Sequence, residues 1–64
     1  MSKITNEISI EKYKILKLDV MPTTPYTSVI IRGRKYNLAP IYDAPNCIAI
    51  ESRESFVGAE VLFE

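Results

Sequence analysis

T-S-V-I-I-R-G-R-K-Y-N-L, residues 27–38, is the stretch that decides the fold. A β-branched run is followed by a single glycine between two arginines, and then by a second run that ends on Tyr36 and Leu38. Gly33 can take the positive φ that a tight hairpin needs, while Arg32, Arg34 and Lys35 keep the exposed tip in water. Setting Ile31 opposite Arg34 places Val29 opposite Tyr36 and Thr27 opposite Leu38, so apolar pairs fall across the two strands. An antiparallel hairpin is expected here.

Upstream, residues 7–20 read E-I-S-I-E-K-Y-K-I-L-K-L-D-V. Ile8 and Ile10 alternate with polar neighbours, as do Leu16, Leu18 and Val20, and alternation of this kind is the mark of a strand. Tyr13 and Ile15 fall on the opposite face, which calls for a bulge or for two strands broken near Glu11 and Lys12. The rival is a helix, since Ile10, Tyr13 and Lys17 have helical spacing and Ser9 is a capping residue. The isoleucine, tyrosine and valine content favours extended structure. Residues 1–6 are polar apart from Ile4 and the first methionine, and are expected as a loose end or a short edge strand. Between this region and the hairpin, M-P-T-T-P-Y is a loop, stiffened by the fixed φ of Pro22 and Pro25.

Downstream, two further prolines in A-P-I-Y-D-A-P-N, residues 39–46, end the hairpin strand and start a turn. C-I-A-I-E, residues 47–51, is another short strand with Ile48 and Ile50 pointing inward. Residues 53–58 look like a turn, or one short helical turn stopped by Gly58. A final strand carries Val61 and Phe63 between glutamates that would protect a sheet edge. About five short strands with frequent turns predict a mainly β chain, a single domain over residues 1–64. Its expected form is an antiparallel meander curled into a small barrel or sandwich, with an SH3-like barrel as the nearest analogue in strand count and length.

A chain of 64 residues hides only about 60% of the surface its unfolded form exposes, so stability is small and self-association is one way to add to it. An intrachain disulfide is ruled out because Cys47 is the only cysteine, and without histidine one thiol cannot complete a zinc shell. Eight basic and eight acidic side chains cancel, which removes the long-range field that draws proteins to nucleic acid or anionic membranes. No apolar run approaches the roughly 18 residues that cross a bilayer, and the start lacks the pattern of a secretion signal. A cytoplasmic protein, of bacterial or phage type, is expected, and the isolated cysteine fits a reducing compartment.

Catalytic chemistry finds little footing. Two glycines cannot supply a dinucleotide or phosphate loop, and nucleophile pairs built on histidine are excluded. Cys47, flanked by I-A-I, reads as a packing residue rather than a thiolate nucleophile. Asp43, Glu51, Glu54 and Glu60 match no calcium loop and stand where solvated turns and strand faces place carboxylates. Neither an enzyme nor a cofactor or metal is therefore expected.

Two binding surfaces remain. Tyr26, Tyr36 and Tyr42, with prolines nearby, would line a shallow aromatic groove, with Asp43, Glu51 or Glu54 meeting basic groups of a protein partner. Against this, tyrosines in so small a domain often do no more than cover the rim of the core. The alternative is a single-stranded nucleic-acid-binding barrel, in which Arg32, Arg34 and Lys35 track phosphates beside Tyr36. The expectation is a non-catalytic protein-interaction or regulatory module, with an unidentified protein partner or a homodimer as its state of assembly.

Overall fold

The computed structural model describes residues 2–41 and 44–64. Six strands, β1 (Ser2–Ile10), β2 (Tyr13–Leu18), β3 (Ser28–Ile31), β4 (Arg34–Asn37), β5 (Cys47–Glu51) and β6 (Glu60–Phe63), form one antiparallel sheet. They lie side by side in the order β4-β3-β6-β1-β2-β5. This is not a meander. Two tight hairpins are joined through β6, which lies between β3 and β1 rather than guarding an edge with its glutamates. The two end strands meet at one bridge, Leu38 to Ile50, next to which the Ala39 amide donates to the Ala49 carbonyl at 2.8 Å. The sheet therefore curls until its ends touch, without a continuous ladder that would close it into a barrel. Among the described residues there is no helix, hence none long and apolar enough to cross a membrane.

The 27–38 hairpin takes the expected register where it matters: Ile31 faces Arg34 and Val29 faces Tyr36. Both turn residues have positive φ, 53° at Arg32 and 81° at Gly33, the combination whose twist suits a two-residue hairpin. Thr27 and Leu38 do not pair with each other. The Thr27 amide donates to the Glu64 carbonyl at 2.7 Å, and Leu38 turns away to β5. The base of the hairpin is thus split between the two neighbours that hold it in place.

Ile4, Leu16, Leu18, Val29, Ile31, Ile48, Ile50, Phe56 and Val61 fill the inside of the curl, and Met21, Tyr26, Tyr36, Leu38 and Phe63 close its rim. Each aliphatic or aromatic side chain fully withdrawn from water contributes about 1.5–3 kcal/mol. Residues 2–6, expected as a loose end or an edge, are instead the first half of the longest strand, with Ile4 in the core and β6 and β2 on either side. Val20 also departs from expectation, because β2 stops at Leu18 and leaves Val20 exposed beyond it.

The region around 7–18 resolves into two strands joined at Glu11 and Lys12, with a bulge further back than the break. Ile4 faces Leu18 while Asn6 faces Lys17, so β1 advances two residues where β2 advances one. The Thr5 hydroxyl donates to the Lys17 carbonyl at 3.3 Å across this irregularity. An extra residue reverses the side on which every later side chain lies. Glu7, opposite the buried Leu16, therefore shares the inner face with Ile4, and Ile8 and Ile10 emerge on the outer face with exposures of 55% and 42%.

Residues 52–59 carry no helical turn; the simple turn also expected there is present at Val57 and Gly58, closed by the Ala59 amide donating to the Phe56 carbonyl at 2.9 Å. The segment crosses the mouth of the curl and inserts Phe56, which is completely buried. Its backbone groups are met by β1 instead of by a local helix: the Gly58 amide, at φ 88°, donates to the Ile4 carbonyl at 2.8 Å, and the Ile4 amide donates to the Ala59 carbonyl at 2.9 Å. Such pairing satisfies the hydrogen-bonding demand of a partly buried loop.

Candidate functional site

Of the tyrosines expected to form one groove, Tyr26 and Tyr36 each pack against a different phenylalanine. Tyr26 meets Phe63 edge-on, with ring centroids 4.6 Å apart, and Tyr36 meets Phe56 edge-on at 5.5 Å. Val29 sits between the two sets, paired to Tyr36 on one side and to Phe63 on the other. Both rings thus help to roof the core, a favourable geometry for aromatic pairs. Tyr42 and Asp43 lie outside the described residues. Tyr36 does border an open cleft of about 380 Å³, but its aromatic companion there is Tyr13, with Lys35 and Glu51 also lining it. The sequence offered no sign of that partnership, because it depends on β5 docking between β2 and the end of β4.

The basic tip is partly committed to its own chain. Arg32 donates from Nη1 to the Ser55 carbonyl at 3.1 Å, with its guanidinium carbon 5.7 Å from the centre of the Phe56 ring. Lys35 stands 3.7 Å from Glu64, an exposed pair of small energetic weight. Arg34 is exposed and makes no hydrogen bond or ion pair among the described residues. Two of the three cations therefore face partners other than a phosphate.

A third surface follows from the bulge. On the outer face of β1 and β2, Ile8 lies beside Ile15 and Ile10 beside Tyr13; Ala49 of β5 continues the row from Ile15. Ile15 and Ala49 are buried there, whereas Ile8 and Ile10 face water. The loop residues Ala44 and Pro45 stand at the far side of a cleft of about 340 Å³ that Ile8, Ile15 and the half-buried Cys47 also line. The backbone beside these isoleucines is also without a strand. Among the described residues, β6 pairs with β1 only at Ser2 and Lys3, and past Ile4 no strand flanks β1 on that side. In an antiparallel pair joined at Ile10 and Tyr13 by two residues, alternate residues turn their amide and carbonyl away from the partner, here Glu7 and Ser9. The Glu7 amide is met by the Asn6 side-chain oxygen at 2.9 Å. Among the described residues, no backbone group outside β2 reaches Ser9.

The inner side of the same segment is firmly held. The Glu7 carboxylate accepts the Phe56 amide at 2.8 Å and lies 3.5 Å from the Lys14 ammonium; the two side chains are 15% and 13% exposed. Lys14 also donates to the Ser9 hydroxyl at 2.6 Å. The Phe56 hydrogen bond holds the Glu7 carboxyl below its ordinary value; burial opposes it, and Ser55 and Lys14 reinforce it. This anchoring keeps the outer isoleucines and the bare edge in a fixed geometry. The alternation of apolar residues marked Ile8 and Ile10 as core, so the sequence pointed away from them as a surface; the only available signal was the conflict in phase with Tyr13 and Ile15.

No protein-family model matches the chain, and neither the curated proteins nor the solved structures contain a match to it.

Proposed function

We propose that this is a protein-interaction module that acts by contact rather than by catalysis, and that its binding element is the outer edge of β1 over residues 6–10. The observation that carries the reading is the combination at Ile8 and Ile10: two exposed branched aliphatics beside backbone groups that no strand among the described residues pairs with. An edge of this kind invites an added strand, with main-chain hydrogen bonds giving affinity and side-chain packing giving selectivity. The contact of Leu38 with Ile50 supports a view of the scaffold as an incompletely closed, SH3-like barrel, rigid enough to present that edge.

Selection of binders from a random displayed peptide library, followed by mapping of backbone amide shifts, tests this reading. Bound peptides are expected to move the amide signals of Ile8, Ser9 and Ile10, and to lose affinity when Ile8 and Ile10 are replaced by lysine. Binders that move the 32–35 tip instead, or that ignore the two substitutions, overturn it.

A further inference from the structure

Resting on that reading, we propose that the strand which fills the edge is the same segment of a second copy of this chain, antiparallel across a twofold axis at Ser9. With the axis there, Ser9 faces Ser9 of the second copy, and each Ser9 amide can donate to the other's carbonyl. Ser9 is the residue whose outward backbone groups lack a partner among the described residues. On the outer face, Ile8 then meets Ile10 of the second copy and Ile10 meets its Ile8. Ile8 already adjoins Ile15, and Ile10 adjoins Tyr13. Two apolar rows result, each four residues wide and running Ile15, Ile8, Ile10, Tyr13 from one chain into the other. Cross-strand pairs of branched aliphatic and aromatic residues are the units that stabilise such a junction.

The inner face tolerates the same axis. The row there is Lys14, Ser9, then Ser9 and Lys14 of the second copy, and each ammonium already has the Glu7 carboxylate of its own chain 3.5 Å away. Other axes fit worse. One at Ile8 would set Ile10 against Asn6 of the second copy and would draw the Asn6 side chain off the Glu7 amide that it caps. One at Glu7 would set two carboxylates face to face. The ladder cannot run past Ile10, because the chain leaves the strand at Glu11, where φ is 55°. Two main-chain hydrogen bonds and four isoleucines make an interface smaller than the roughly 1,000 Å² of stable complexes, so the dimer forms and dissociates with concentration.

Sedimentation equilibrium of the full chain from micromolar to millimolar concentration, with Ile10→Lys beside it, measures the association. The parent is expected to pass from one chain to two, and Ile10→Lys to weaken this at least about tenfold, since it removes both apolar pairs. For the register, chains carrying Ile8→Cys and Ile10→Cys, each with Cys47→Ala, are mixed and oxidised. A mixed disulfide is expected, with little bridging of either variant to itself; self-bridging of Ile8→Cys overturns the Ser9 axis. Amide exchange at Ser9 in dilute solution separates the two levels of the argument. A fast-exchanging Ser9 in a chain that stays single at every concentration overturns self-pairing and leaves the open edge standing. A slow-exchanging Ser9 in the single chain overturns both.

Discussion

The two hairpins of this molecule are built from similar material and read very differently. In β3 and β4 the pairing runs unbroken from Ser28 and Asn37 to the Arg32–Gly33 turn, and every side chain lies on the face that alternation assigns to it. In β1 and β2 a single extra residue at Thr5 reverses the faces, placing a glutamate inside and two isoleucines outside. The lesson is that alternation fixes which residues share a face only within an uninterrupted ladder. In the interrupted hairpin two exposed isoleucines stand beside an outward-facing backbone edge, and the reversal of faces is what exposes them.

Phe56 is where the hairpins are tied together, and its removal is the largest perturbation of the comparison. Glu7 of β1 holds its amide, while Tyr36 of β4 and Arg32 of the other turn hold its ring. Phe56→Ala is expected to cost about 4 kcal/mol, through lost transfer energy and the cavity left behind. For a domain of this size that is a large part of the total stability. Urea unfolding followed by circular dichroism checks this. A cost under about 1 kcal/mol would mean that the hairpins are joined by the β6 ladders alone and that the plug is dispensable.

Much of the fold could be read from residues alone because the turns and the branched runs act locally. Gly33 with its arginine neighbours, the proline loop at 21–26 and the I-A-I core of β5 each declare themselves within a few positions. What stayed hidden depends on contacts between distant parts of the chain. β6 slots between β3 and β1, and the 52–59 loop takes its hydrogen bonds from Ile4 rather than from a helix of its own. The site was less legible than the fold. Tyr26 and Tyr36 went to the core rim, Arg32 went to Ser55 and Phe56, and the surface that did emerge was written as two core-like isoleucines. The phase shift between Ile10 and Tyr13 was visible, but its origin at Thr5 was not, since threonine is at home in any strand.

The charge buried inside the interrupted hairpin makes it the acid-sensitive one. Glu7 titrates below the ordinary glutamate value of 4.5, because the Phe56 amide, Ser55 and Lys14 favour its ionised form. A carboxyl whose folded value is lowered stabilises the fold fully above the unfolded value and loses that contribution as pH falls through the folded one. Glu7→Gln keeps an acceptor for the Phe56 amide and removes the charge, and is expected to cost about 1.5 kcal/mol at neutral pH. Measured as the difference between parent and variant across a pH series, this gap should stay level above 4.5 and narrow below it. Taking the difference also cancels Asp19, whose carboxyl is lowered chiefly by the Lys3 amide and is present in both chains. A gap that persists unchanged into acid would show that shape, not charge, anchors Glu7.

The smallest effect distinguishes the two turns. Each hairpin opens its turn on a left-handed residue that is not glycine, Arg32 at φ 53° and Glu11 at φ 55°, and the 32–33 turn adds a second left-handed position, Gly33 at φ 81°. Nothing lies within 4 Å of a methyl group added at Gly33, so Gly33→Ala meets backbone strain and no collision. The strain is about 1–2 kcal/mol, partly offset by the lower freedom of alanine in the unfolded chain. A net loss near 1 kcal/mol is expected. Glu11→Gly runs the argument in reverse: it relieves the strain and gives back some of it as unfolded-chain entropy, for a gain of about 0.5 kcal/mol. The exposed Glu11 makes no ion pair or hydrogen bond among the described residues that would offset this gain. Thermal unfolding of the two variants beside the parent should therefore move the midpoint in opposite directions. If Glu11→Gly lowers it instead, the β1–β2 connection draws its conformation from contacts of the glutamate side chain, and the two turns are not equivalent solutions to the same backbone demand.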